Sequence, residues 1–87
     1  LGAKLEAVNT IEKDRLKIPY GVKISSLTRG YLRDLGFRDG FVITHVNEMP
    51  AKDPKALGEY LEKFSGRLKL AGVSPNGQPF MQSYNVQ

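Results

Sequence analysis

His45 is the single histidine of this 87-residue chain, and there is no cysteine. A zinc site needs about four N, S or O ligands that converge. His45 has neither a second histidine nor a carboxylate cluster near it in the sequence, so it reads as a structural or surface histidine of a strand. Hydroxyl nucleophiles are available at Ser25, Ser26, Ser65, Ser74 and Ser83. None sits in a nucleophile elbow or in a Gly-Asn-Ser-Gly-Gly segment, so no sequence context activates one. Gly36 and Gly40 are not followed by Lys-Ser or Lys-Thr, as a phosphate-cradling loop requires. The chain is therefore expected to be non-catalytic and to use no cofactor and no metal.

The remaining chemistry would be charge and stacking. Thirteen Lys and Arg against nine Asp and Glu leave a formal net charge of +4. Arg29, Arg33 and Arg38 are the densest basic group, and Asp34 and Asp39 interrupt it. A nucleic-acid footprint would want basic residues clustered on one face and interleaved with exposed aromatics. Here the signs are mixed along the chain, and Arg67-Leu68-Lys69-Leu70 has the plain alternation of a half-exposed strand. Phe37, Phe41, Tyr60, Phe64, Phe80 and Tyr84 read as core or sheet packing. No nucleic-acid partner is expected. No apolar run approaches a membrane span and no signal peptide is visible. The start at Leu1 without Met suggests an excised domain or processed fragment, and the length fits one domain over residues 1–87.

The elements that position these residues follow from pattern and punctuation. Leu1 to Val8 alternates as a strand. Asn9 with Glu12 forms a capping box for a helix from Thr10 to about Lys17, which Pro19 stops. Tyr20 to Leu27 is a second strand, with Val22 and Ile24 on one face. Thr28 caps a short helix from Arg29 to Leu35, and Gly36 ends it because glycine alone takes positive φ without a Cβ clash. Asp39-Gly40 is turn chemistry. Phe41 to Val46 is a strand apolar enough for burial on both faces, and Asn47-Glu48-Met49-Pro50 breaks it. Asp53 as N-cap and Pro54 at the first helical position start a helix that runs to about Phe64. Its apolar residues Ala56, Leu57, Tyr60, Leu61 and Phe64 share one face. Arg67 to Ser74 and Gln78 to Tyr84 are strands joined by Pro75-Asn76-Gly77, a hairpin turn.

Leu35-Gly36-Phe37-Arg38-Asp39-Gly40-Phe41-Val42-Ile43, followed by Val46-Asn47, resembles the core motif of PDZ domains of the circularly permuted bacterial kind. More narrowly, it is similar to the C-terminal PDZ domain of HtrA (Do-type) serine proteases, Bacteroidetes branch. Phe41 stands where Asp is commonest in that family, Glu48 where Gly is, and Leu35 where Ala is usual. The segment Gly72-Val73-Ser74-Pro75-Asn76-Gly77 is similar to the same branch. The resemblance implies an α+β fold: a PDZ-like, partly open antiparallel β-sandwich or barrel of about five to six strands capped by two helices.

It also implies a function. A partner peptide would add as a strand between a sheet edge and a helix, its C-terminal carboxylate held by backbone amides of a hydrophobic-Gly-hydrophobic loop. Leu1-Gly2-Ala3 matches that loop, and adjacent amides there would form an anion nest. Ala3, Lys4 and Leu5 would offer ladder hydrogen bonds to the guest. Pro54, Gly58 and Leu61 would face the groove from the helix, with Leu57, Tyr60 and Phe64 turned to the core. The implied partners are C-termini of peptides or unfolded proteins, with adjacent PDZ and protease domains of a parent chain. The implied setting is a periplasmic protease of protein quality control. The alternative is an assembly element that packs against neighbouring domains through its Arg67–Ser74 and Gln78–Tyr84 strands.

Overall fold

The computed structural model describes residues 3–28 and 31–86. Its centre is the run that joins the second and third strands. The short helix α2 (Tyr31–Asp34) closes on Gly36, which has φ 102°. Phe37 N–H donates to Leu32 C=O and Gly36 N–H to Arg33 C=O, both at 3.1 Å, the double closure of a Schellman motif. That closure stops the helix one residue before the expected Leu35. The expected first residue, Arg29, lies outside the described residues. Two residues on, the Asp39 carboxylate accepts the Leu27 N–H at 2.8 Å, which pins the turn to the end of β2 (Val22–Leu27). Gly40 N–H then donates to Ile24 C=O at 2.7 Å, and the chain enters β3 (Val42–Val46).

The other elements are β1 (Ala3–Ala7), α1 (Thr10–Leu16), β4 (Met49–Pro50), α3 (Pro54–Lys63), β5 (Gly66–Val73) and β6 (Pro79–Val86). Among the described residues six strands form one antiparallel sheet in the order β1-β2-β3-β5-β6, with β4 paired to β3. The architecture is α+β and partly open: among the described residues, β1 and β6 each pair on one side only. Among the described residues three helices accompany the sheet: α1 and α3, and the expected short helix before Gly36, which is the single turn of α2.

One element differs from the expected break at Asn47–Pro50. Only Asn47 and Glu48 turn, with φ of 47° and 69°, the paired positive values of a two-residue hairpin loop. Met49 and Pro50 return as β4 against Val46 and His45. Asn47 holds the turn with three bonds at 2.8 Å. Its N–H donates to Lys69 C=O, its Oδ1 accepts the Lys69 N–H, and its Nδ2 donates to the Tyr60 hydroxyl. The hairpin is thereby tied to both β5 and α3.

Burial follows the alternation read from the sequence. Val22, Ile24, Ile43, Leu68 and Leu70 pack with Leu57 and Leu61 of α3 in the main core, together with Leu32 and Phe37. Phe37 is ringed edge-on by Phe41, Phe80 and Tyr84, with centroids 5.4–6.0 Å apart. Val42 faces the other way, into a second cluster with Val8 and Val73 beneath Leu16 and Ile18. So β3 is covered on both faces. Gly72 of β5 sits where β3 bulges: a Cβ there would lie 1.9 Å from the Val42 carbonyl oxygen. Only a residue without a side chain admits that approach.

Candidate functional site

β1 has one edge on β2 and one edge free among the described residues. Antiparallel ladders alternate, so half of a strand's backbone groups point to each side. Val8 N–H donates to Gly21 C=O at 3.2 Å, and the register runs on through Ala7–Val22, Glu6–Lys23 and Leu5–Ile24. The alternation turns Glu6 and Lys4 toward β2 and leaves the N–H and C=O of Leu5 and Ala7 directed at the free edge. The register shifts by one β2 residue, Ser25, between Lys4 and Leu5, and Ala3 still faces outward because Leu27, its partner, turns its N–H away from β1 to Asp39. Lys4 C=O accepts the Ser25 hydroxyl at 3.2 Å, on the β2 side.

The free edge opens onto a cleft of about 500 Å³ whose lining is Ala3 and Leu5 from β1 and Pro54, Lys55, Gly58, Glu59 and Glu62 from α3. Helix α3 begins where expected. The Asp53 side chain accepts Lys55 N–H at 3.1 Å, and Pro54 opens the first turn without needing a partner for an N–H. Leu57 and Leu61 are its buried anchors, 4% and 0% exposed. The next stripe around the helix, from Pro54 through Gly58 to Glu62, forms the cleft wall. Gly58 makes the floor wide: a Cβ there would reach Leu5 Cδ1 at 3.6 Å. The floor is apolar and the rim carries Lys55, Glu59 and Glu62.

Of the residues singled out in the sequence, the structure brings Ala3, Leu5, Pro54 and Gly58 to one cleft. Lys4 is exposed and its backbone serves β2, so it stands outside the open edge. Leu61 does not face the groove: it is buried in the core, because at 100° per residue it falls on the Leu57 side of α3. Leu57 is core as expected, and Tyr60 and Phe64 pack on its margin. Leu1 and Gly2, the first two residues of the expected carboxylate loop, lie outside the described residues. Lys55, Glu59 and Glu62 were missed. Their spacing of four and then three residues from one another was a usable signal, but a charged helical stripe ordinarily reads as solvent-facing.

His45 is engaged elsewhere. Tyr20 hydroxyl and His45 Nε2 are 2.9 Å apart, and Thr44 Oγ1 lies 3.1 Å from Nδ1. Thr44 donates to Ala71 C=O at 3.2 Å, so its oxygen accepts from Nδ1–H, and the Tyr20 hydroxyl partners Nε2. The ring clamps the segment before β2 to β3. Among the described residues, no group of three or more His, Cys, Asp or Glu is placed to hold a metal, and no helix is long and apolar enough to cross a membrane.

Comparisons with protein-family models, with curated proteins and with solved structures find no match to this chain.

Proposed function

We propose that this chain is a peptide-binding module of the PDZ type that captures an extended segment by strand addition to β1. The observation that carries the proposal is the coincidence of a free strand edge with a helix-walled cleft: the outward backbone of Ala3 and Leu5 borders the cavity that Pro54 and Gly58 complete. A guest strand laid antiparallel to β1 would satisfy those unpaired groups, each net hydrogen bond contributing about 1 kcal/mol. Its alternate side chains would drop onto the Leu5–Gly58 floor. The rim of Lys55, Glu59 and Glu62 would favour polar flanks on the guest.

The motif resemblance extends the proposal to a setting: a substrate-recruiting, regulatory part of an HtrA-like periplasmic serine protease, acting on C-termini or exposed extended segments of unfolded proteins. Backbone NMR titration with a hydrophobic peptide bearing a free C-terminus, then with its amide, tests the binding. Shifts are expected at Ala3, Leu5 and Gly58. No shift there with any peptide sinks the proposal, and equal affinity for acid and amide removes carboxylate capture while leaving strand addition. A trypsin-like His/Asp/Ser set in the parent chain is the expectation that tests the setting.

A further inference from the structure

The second free edge, on β6, has a different character from the first. All 22 charged residues, 13 basic and 9 acidic, lie before Leu70: from Leu70 to Gln87 there is no Asp, Glu, Lys or Arg. β1 contains the charged residues Lys4 and Glu6, whereas β6 contains none. Natural sheets guard free edges with charge, bulges or covering elements. Among the described residues the only such guard on β6 is Pro79 at its first residue. Met81 is 65% exposed, and Gln82, Ser83 and Asn85 are exposed with it.

Register settles which groups that edge offers. Ser74 N–H donates to Gln78 C=O at 2.8 Å, and the β5–β6 pairing continues without a bulge from Val73–Pro79 to Gly66–Val86. Alternation from that bond turns the backbone of Phe80, Gln82, Tyr84 and Val86 toward β5 and leaves that of Pro79, Met81, Ser83 and Asn85 pointing outward. Lys69, opposite Ser83, agrees: its N–H and C=O bond to Asn47 on the other side of β5.

We propose that β6 is a homodimer interface, in which a second copy of this chain pairs its β6 antiparallel about a twofold axis at Gln82. The twofold places Met81 of each copy opposite Ser83 of the other, and Pro79 opposite Asn85, so outward-pointing groups meet outward-pointing groups. Phe80 of each copy then stands across from Tyr84 of the other on the core-facing side. That aromatic pair sits at the mouth of the cleft of about 200 Å³ between Leu35–Phe37 and the Phe80–Gln82–Tyr84 row. The occupant is taken as a second copy on the ground of charge, since in this register no charged residue of either β6 is opposed to another. Two chains of charge +4 repel, and the Leu70–Gln87 region is where they approach with no like charges opposed. The interface is separate from the β1 groove, so the dimer presents two grooves.

Sedimentation equilibrium of the chain over a range of concentrations tests this, with Gln82→Lys and Gln82→Glu as variants. At Gln82 each side chain faces its own copy, so either variant opposes two like charges. The wild type is expected to approach twice its 9.7 kDa mass. Each variant alone is expected to stay monomeric, and an equimolar mixture of the two is expected to regain the dimer. That rescue also shows that the variants fold. In the wild-type dimer the Met81 and Ser83 amides are expected to be protected from hydrogen exchange. A wild type that is monomeric throughout overturns the proposal, and so do variants that dimerise as well as the wild type.

Discussion

Replacing Gly58 by Ala separates the cost of a mid-helix glycine from its use. Gly58 lies in the interior of the ten-residue helix α3 and has no positive φ, so alanine adopts its backbone without strain. The intrinsic gain is about 1 kcal/mol. The new methyl would meet Leu5 Cδ1 at 3.6 Å, ordinary contact, adding about 0.1–0.2 kcal/mol per atom pair. Gly58→Ala is therefore expected to stabilise the domain by about 1 kcal/mol and to raise the melting temperature by about 4–8 °C. Urea unfolding should show a higher midpoint with an unchanged slope. Because the same methyl narrows the cleft floor, affinity for a guest with a large side chain should fall as stability rises. Gly58→Leu takes this further. The fold should persist while peptide binding weakens by about tenfold or more, a loss of about 1.4 kcal/mol. An Ala variant no more stable than wild type would refute the helix argument. A Leu variant that is folded and binds normally would refute the placement of the guest.

Three other outcomes follow from particular contacts. Gly72→Ala forces a Cβ against the Val42 carbonyl at the β3 bulge and should cost about 3 kcal/mol or more, read as a lowered urea midpoint or loss of folded protein. Asn47→Ala loses the bonds to Tyr60 and Lys69 and places alanine at φ 47°, so about 3 kcal/mol should be lost. Asn47→Gly should recover the backbone part, and equal losses for the two would count against the strained turn. Finally, the Lys23 ammonium at 2.9 Å, aided by the Asn9 N–H, holds the Glu12 carboxyl below its ordinary range despite some burial. Its stabilising contribution is present above that ordinary range and disappears as pH falls through the depressed value. It should amount to less than about 1 kcal/mol, and Glu12→Gln should flatten that part of the acid-unfolding curve.

Much of the fold was legible because its signals are local. Asn9 with Glu12, Gly36, and Asp53-Pro54 each satisfy or terminate backbone hydrogen bonds within a turn of themselves, and the structure uses each in that role. Alternation in Val22–Leu27 and Arg67–Leu70 assigned the buried faces because a strand's period is two whatever it packs against. The β4 return was not legible: Met49-Pro50 has no strand signal of its own, and Asn47 becomes a hairpin turn only because Lys69 and Tyr60 meet its side chain.

The cleft divides along the same line. Composition and motif determined on their own that Ala3, Leu5, Pro54 and Gly58 belong to a strand and a helix of suitable pattern. Tertiary structure alone decided that these two elements face each other across a cavity, that Leu61 turns into the core, and that Glu59 and Glu62 form the rim. The reason is angular. A rotation of α3 by a fraction of a turn exchanges Leu61 for Glu62 at the groove, and that rotation is set by how Leu57 and Leu61 pack against the sheet. Pairing order is likewise non-local, since the hydrophobic pattern of a strand names its buried face but not the neighbour at its edge. Among the described residues, only the assembled sheet left β1 and β6, one charged and one neutral, at the two ends of its five-strand path.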